Sequence, residues 1–480
     1  MRYIFDWCPR YKKAIIKSEN LDELRLAFSV ENKGAAIRAR KQRGYFATRQ
    51  YAITNSGRVG LGIIPEIIQY IKKNDVTNQI TITKQLKEKI SCGWDFYDRE
   101  IITLSKTYRD YQENIIRKCI KRGRGVNLVA TAGGKTLIMA GLVGTLLQHH
   151  PKYKILIVLP TQLVDQTYTD FLEYGLPFQD VGKWDGKNMF KPENKVIIAG
   201  TNILLSKKQD TKWVNDVDVL INDETHKAKN GNSITKLLEK ITTPHKFGFT
   251  GTLPDDKIDE WKVIGLFGPV LAEESSADLR KGKYISDVDI TILKISYTED
   301  FYFKPNPNKP IEAYHKELEF IINNEKRNNI LTKLCSRLEK NTLLLVDRIE
   351  HGEILEKTFK DNIKGKKIYF IQGSVEEETR DKVKKLMEVE DNIICIAMGA
   401  IFSTGISINN IHYIIFGAGG KAKTRIVQSI GRGLRLHPRK TKLNVFDITD
   451  DLLYGNRHYE KRLLLYDKEK IKYYVRNIQA

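Results

Sequence analysis

Val126-Asn127-Leu128-Val129-Ala130-Thr131-Ala132-Gly133-Gly134-Lys135-Thr136 is the stretch on which the reading of this chain turns. An apolar run enters a short glycine-containing loop, which closes on Lys-Thr and leads into the helical pattern Leu137–Leu147. Strand, loop and helix in that order cradle a nucleoside triphosphate, because backbone N–H groups and a helix N-terminus meet the phosphates. Gly133 and Gly134, after Thr131 and Ala132, let those N–H groups close on oxygen atoms without a side chain in the way. Lys135 is expected to reach the β- and γ-phosphates and the Thr136 hydroxyl to coordinate Mg²⁺. The full G-x-x-x-x-G-K-[ST] pattern is not met, since Val129 stands where its first glycine belongs. A glycine-rich turn beside a surface lysine is the bland alternative.

At 480 residues the chain is too long for one core, so two to four domains are expected. No apolar run approaches the ~20 residues that span a bilayer, and Met1–Lys13 lacks the apolar core of a signal peptide. Cys8, Cys92, Cys119, Cys335 and Cys395 are scattered without C-x-x-C spacing. Neither disulfides nor zinc are expected, and a reducing cytoplasm fits. A formal charge of +21 favours association with polyanions, of which nucleic acid is the commonest.

Residues 1–90 hold no catalytic constellation. Arg38, Arg40 and Arg43 sit in a basic cluster followed by Tyr45, Phe46 and Tyr51. Such interleaving suits phosphate neutralisation and base stacking, and equally a solvated face over core aromatics. Ile63–Lys72 reads as a short amphipathic helix, within a small α+β domain. Tyr108-Arg109-Asp110-Tyr111-Gln112 then opens a helical pattern, and a glutamine amide can pair with N6 and N7 of adenine.

Beyond the loop, strands and helices alternate, which implies a parallel sheet with ligands at the strands' carboxyl ends. Lys154–Pro160 ends at Thr161-Gln162, Val196–Asn202 contains Thr201, and Val217–His226 ends in Asp223-Glu224-Thr225-His226. Asp223 can hold Mg²⁺, and Glu224 is then placed to orient and deprotonate an attacking water. His226 has no zinc-site spacing and reads as a relay between the ATP side and the nucleic-acid side. Phe247–Thr252 closes another strand with Thr250 and Thr252. A connection near 272–285 leads to a second α/β half with strands near 341–347, 367–371, 392–397 and 412–416 and no phosphate loop of its own. That half ends in Gln428-Ser429-Ile430-Gly431-Arg432-Gly433-Leu434-Arg435. Arginine at 432 and 435 shares one face if the segment is helical, suited to a γ-phosphate or to a nucleic-acid backbone.

Taken in order, Gln112, Ala130–Thr136, Pro160–Gln166, Asp223–His226, Thr250–Thr252, Ser403-Thr404-Gly405 and Gln428–Arg435 resemble the motif series of superfamily 2 helicases. Asp-Glu-Thr-His with Thr-Gly-Thr is similar to the DExH-type DNA translocases. Ala-Ile-Phe-Ser-Thr-Gly-Ile-Ser at 400–407, the chain's size and its small leading domain resemble the phage UvsW-type recombination helicases.

The resemblance implies an α/β fold of two tandem RecA-like parallel-sheet motor domains, with a small N-terminal α+β domain and a C-terminal helical tail. The expected segments are 1–90 (accessory, DNA-binding), 91–275 (first motor, ATP-binding), 276–454 (second motor, arginine finger) and 455–480 (basic tail). It implies ATP between the motors, with Tyr108, Gln112 and Gly405 toward nucleotide and Lys135, Thr136, Asp223 and Glu224 on phosphate, Mg²⁺ and water. Gln428, Arg432 and Arg435 would complete the site, with Arg435 as the finger. Thr161, Gln162, Thr201, Gly373 and Ser403 would touch the phosphate backbone, and His226, Thr250, Thr252 and Thr404 would couple the two events.

The expected activity is ATP-dependent remodelling or unwinding of branched DNA in recombination, repair or replication. The expected protein is a monomer in the cytoplasm (the host's if phage-encoded), working with replication or recombination proteins. An ATP-controlled binding switch without unwinding, or an RNA helicase, would need the same motifs.

Overall fold

Runs such as Ile155-Leu156-Ile157-Val158-Leu159 are apolar at every position, so both faces of the strand must be covered. A parallel sheet between two helical layers does this, and the chain builds two of them. The structure, a computed structural model, describes residues 1–32, 48–206, 208–298, 310–372, 377–399, 408–417, 429–431 and 433–480. The chain divides into two compact units. One comprises Met1–Ala130 and Gly134–Glu274, and the other Thr131–Gly133 and Ser275–Ala480. Among the described residues no helix is long and apolar enough to cross a membrane.

The first unit opens with an accessory layer of β1 (Arg2–Cys8), β2 (Lys13–Lys17), β3 (Ser29–Glu31), β4 (Arg49–Tyr51), β5 (Arg58–Val59) and β6 (Gln79–Ile82). Four of these form a sheet in the order β5-β2-β1-β6, and β3 and β4 pair antiparallel in a separate two-stranded sheet. The amphipathic helix occupies Ile64–Asn74, with Pro65 in its first turn, where a missing N–H costs nothing. Its buried Ile64, Ile67 and Ile71 join Phe5, Ile16, Phe28 and Ile53 in one core. That core also contains Ile258 and Trp261 of the helix Lys257–Phe267, so the accessory layer shares its interior with the first motor. Gly60 and Gly62 make the seam possible. A Cβ at Gly60 would lie 2.5 Å from Gly265 Cα, and one at Gly62 would lie 1.8 Å from the Ile264 carbonyl oxygen.

The motor sheet of this unit contains β7 (Gly125–Val129), β8 (Ile155–Leu159), β9 (Val181–Trp184), β10 (Val196–Gly200), β11 (Val219–Asp223), β12 (His245–Thr250) and β13 (Val270–Glu274). All pairings are parallel, in the order β13-β7-β12-β11-β8-β10-β9.

The second unit repeats the plan with β14 (Asp287–Ser296), β15 (Thr342–Val346), β16 (Lys367–Ile371), β17 (Ile393–Met398), β18 (Tyr413–Phe416), β19 (Lys442–Asp450) and β20 (Tyr473–Gln479). Its order is β16-β17-β15-β18-β19-β14-β20, again all parallel. The expected tail helix spans Leu453–Lys468, and the chain then returns as β20 along the edge beside β14.

Two buried ion pairs lock this half. The Arg327 guanidinium donates to Asp450 through Nε at 2.7 Å and Nη2 at 3.1 Å, and to the Gly417 carbonyl at 2.7 Å. Arg462 donates to Asp447 at 2.8 Å, and the Tyr466 hydroxyl donates to the same carboxylate at 2.9 Å.

Candidate functional site

In the first unit the carboxyl ends of five adjacent strands gather the predicted groups. The phosphate loop leaves β7, Thr250 ends β12, Asp223 ends β11, Thr161 follows β8, and Thr201 follows β10. Parallel register puts Asp223 level with Phe249 and Thr250 level with Leu128, so these groups share one edge. Strand, loop and helix follow one another as anticipated. β7 is buried throughout, and the helix Lys135–His149 begins directly after the loop. Ala132 and Gly134 both have left-handed backbone, with φ of 68° and 78°. Alternating such residues turns successive N–H groups toward a common concavity, a nest for anionic oxygen. Lys135 and Thr136 are the helix's first two residues and are half-buried.

Gln112 lies against this loop. A Cβ at Gly134 would be 2.4 Å from its Nε2, so glycine is needed there for space as well as for φ. The Gln112 side-chain oxygen accepts the Arg109 N–H at 2.9 Å, closing a capping box at the start of the helix Asp110–Arg122. One amide therefore ties the helix start to the phosphate loop. Tyr108 occupies a packing position: its hydroxyl donates to the Ile102 carbonyl at 3.0 Å, and a Cβ at Gly141 would come within 2.6 Å of that oxygen.

The acidic pair is buried, and its members differ. Burial, then the adjacent Glu224, push the Asp223 carboxyl up to about 6. Burial also opposes ionisation of Glu224, but Lys135 and the hydrogen bond with His226 outweigh it and hold this carboxyl below its ordinary range. Glu224 has left-handed backbone at φ 55°, a conformation that costs an ordinary side chain about 1 kcal/mol or more. The bend lets its N–H donate to Asp223 Oδ1 at 2.9 Å. Thr225, not anticipated as a site residue, secures the bend by donating to the Asn222 carbonyl at 2.8 Å and the Phe249 carbonyl at 3.2 Å. No sequence signal beyond its place in the motif distinguishes it.

His226 joins the acidic pair to β12. Its Nδ1 lies 3.2 Å from Glu224 Oε2 and 2.8 Å from Thr250 Oγ1. The Thr250 hydroxyl donates onward to the Thr252 carbonyl at 3.1 Å, which makes Nδ1 the proton-bearing nitrogen in this line. His226 thus touches Glu224 on one side and is hydrogen-bonded on the other to Thr250, which bonds on to Thr252. At the other end of the edge, Thr161 Oγ1 accepts the Asn202 N–H at 3.3 Å, which places Thr161 and Thr201 on neighbouring turns. Gln162 lies in the same short turn as Thr161.

The donor set suits a hard cation: the Asp223 carboxylate and Thr136 hydroxyl offer oxygen only, and the carboxyl is raised by burial first and then by the adjacent Glu224, both of which a cation would offset. When bound there, Mg²⁺ would supply charge neutralisation to phosphate oxygens.

In the second unit the Arg435 carbonyl accepts the Ser286 hydroxyl at 3.4 Å, and the Leu434 carbonyl accepts the Ser286 N–H at 2.8 Å. These contacts hold the end of that segment beside β14. Arg38, Arg40, Arg43, Gly373, Ser403, Thr404, Gly405, Gln428 and Arg432 lie outside the described residues.

Comparison with known proteins agrees with this layout. The family described as Type III restriction enzyme, res subunit matches residues 105–255, and the helicase conserved C-terminal domain matches residues 325–437. The chain is 27% identical over 488 residues to the ATP-dependent DNA helicase uvsW of Enterobacteria phage T4, covering 95% of each protein. It is 22% identical over 374 residues to the DNA 3'-5' translocase XPB2 of Sulfurisphaera tokodaii, covering 70% of this chain and 80% of that one. The solved structure of S. cerevisiae Dbp5 bound to RNA and ADP BeF3 superposes with a TM-score of 0.55 at 13% identity, covering 78% of this chain and 90% of Dbp5, a likeness of fold. With two RecA-like halves in this order, these two family matches and a helicase relative along its length, the chain is an ATP-hydrolysing helicase that resembles superfamily 2.

Proposed function

We propose that the protein is an ATP-driven DNA translocase that remodels or unwinds branched DNA. The observation that carries this reading is the path from Glu224 through His226 to Thr250 and Thr252, which ties the acidic pair at the end of β11 to the loop that follows β12. Lys135 binds phosphate, Thr136 and Asp223 would hold Mg²⁺, and Glu224, kept ionised, orients the attacking water and takes its proton. Gln112 reads adenine while touching the phosphate loop, so nucleotide and loop are sensed together. Arg435, with Arg432 and Gln428, serves the reaction from the second half, and Thr161, Gln162 and Thr201 follow the DNA backbone. The functional segments in this reading are 1–90 (accessory), 91–275 (first motor), 276–454 (second motor) and 455–480 (tail). DNA as the track, and branched DNA as the substrate, are supported by similarity to the T4 helicase along 95% of the chain.

Steady-state ATP turnover measured with no nucleic acid, single-stranded DNA, a four-way DNA junction and matched RNA tests the proposal. Stimulation greatest with the junction, followed by strand displacement, is the expected result. Greatest stimulation by RNA would move the substrate, and turnover without displacement would make the protein a switch. Lys135→Ala should abolish turnover while leaving salt-sensitive DNA binding in place.

A further inference from the structure

Where the accessory layer meets the first motor, the chain encloses a cleft of about 800 Å³ at the opposite end of the sheet from the phosphate loop. Arg124 lines it immediately before β7, and Thr243 and Pro244 line it immediately before β12. The phosphate loop leaves β7 five residues later, a rise of roughly 17 Å, so the two places are distinct.

The lining is strongly cationic. Arg124 and Lys246 are buried, at 6% and 7% exposure, and among the described residues neither makes a close ion pair with a carboxylate. Arg124 donates through Nε and Nη2 to the carbonyls of Phe267 and Leu266, and Lys246 donates to the Leu238 carbonyl at 3.0 Å. Lys12, Lys13, Arg58, Lys89 and Lys262 surround them. Glu239 is the single carboxylate on the lining, and Lys13 and Lys262 already pair with it. Aromatic rings seat two of the outer cations: Arg58 lies 3.9 Å from the centre of the Tyr11 ring, and Lys89 lies 5.9 Å from that of Trp7. A buried guanidinium and a buried amine that bond only to carbonyls are costly to charge, and a ligand phosphate in the cleft would supply the opposite charge.

We propose that this cleft is a second phosphate-binding site, separate from the ATP site, in which Arg124, Lys246, Lys12 and Lys89 receive a phosphate group. Tetrahedral oxygens accept from guanidinium and ammonium donors together, and the volume takes a ligand of nucleotide size. The aromatic rim of Trp7, Tyr11 and Tyr51 gives a flat face to an attached base. The phosphate comes from one of two sources, a nucleic-acid backbone or a free phosphate compound.

The full-length chain carrying Lys135→Ala, which silences the phosphate loop, is titrated calorimetrically with inorganic pyrophosphate. It is also photocrosslinked to a single strand containing bromodeoxyuridine, with adducts located by mass spectrometry. Lys12→Glu with Lys89→Glu alters exposed residues only, and Lys246→Met tests the buried amine. The expected result is pyrophosphate binding that either variant weakens by about tenfold or more. Adducts at Trp7, Tyr11 or Tyr51 that vanish in the Lys12/Lys89 variant identify nucleic acid as the source. Pyrophosphate binding lost in that variant without such adducts identifies a free phosphate compound. Absence of both signals in the parent, or both unchanged in the Lys12/Lys89 variant, overturns the site. With an intact phosphate loop, Lys12→Glu with Lys89→Glu should keep its DNA-free ATP turnover, which separates this outcome from failure of the motor.

Discussion

Removing one charge from the Arg327–Asp450 pair should unfold the second unit well before the first. Asp450→Asn leaves the Arg327 guanidinium, 0% exposed, without its counter-charge. The Nε and Nη2 contacts of 2.7 and 3.1 Å correspond to an attraction of about 5 kcal/mol at an effective dielectric constant near 20. Asparagine keeps part of the hydrogen bonding, and breaking a buried pair from one side typically costs about 3–5 kcal/mol. For a unit of this size each kcal/mol is worth roughly 2–4 °C, so the midpoint should fall by about 6–20 °C.

The chain allows the two units to be followed separately. Trp7, Trp94, Trp184, Trp213 and Trp261 all belong to the first unit, so indole fluorescence reports that unit alone. Cys335 and Cys395 are buried in the second unit, and their labelling on heating, located by mass spectrometry, reports its opening. The expected result is early labelling of both thiols with an unshifted fluorescence transition. Arg327→Met combined with Asp450→Leu removes both charges and should be less destabilised than Asp450→Asn alone. A double variant as unstable as the sum of its single variants, or Asp450→Asn with no change in thiol protection, would refute the electrostatic account.

Glu224→Gln should bind ATP with near-normal affinity and lose turnover by a hundredfold or more on the order of general-base catalysis; undiminished hydrolysis would remove it as the base. His226→Ala breaks contacts to Glu224 and Thr250 at once and should depress DNA-stimulated turnover more than basal turnover, whereas equal loss of both would make it a structural residue. Arg435→Ala should retain nucleotide binding better than hydrolysis, and normal turnover would exclude it as the finger. Lys246 is held down to about 7 by burial, then by Arg124, with Lys12 adding to this and Glu239 opposing it. A lysine whose folded-state value is depressed costs stability below that value, and the cost fades as pH rises from 7 toward its ordinary 10.5. Urea denaturation should therefore show wild type gaining on Lys246→Met by a few kcal/mol at most across that window, and parallel curves would contradict it.

Much of this architecture is legible in the chain because its signals are local. Wholly apolar runs such as Ile155–Leu159 cannot stay stable with a wet face, and Gly-Gly-Lys-Thr between a strand and a helix has few other uses. Asp223-Glu224 follows from its position at a strand's end. Three strands are less visible. β14 and β19 alternate buried and half-buried residues over much of their length, and β20 is largely exposed, so all three lack the continuous apolar run that announces a buried strand. They become strands by pairing with one another at the sheet's far side, a long-range contact that no short window contains.

What the sequence determined by itself is the set of groups and their order: a phosphate loop, an acidic pair, two threonine turns and a charge of +21. Which of them meet was settled by folding. His226 is an unremarkable ring until parallel register brings β12 beside β11 and sets Thr250 within 2.8 Å of it. Arg327 and Asp450 stand 123 residues apart, and Arg124 and Lys246 are two basic residues among 80 until folding buries them in one cleft. The reason is physical: a motif is set by spacing along the chain, whereas an ion pair or a charged cavity is set by distance through space and by the exclusion of water.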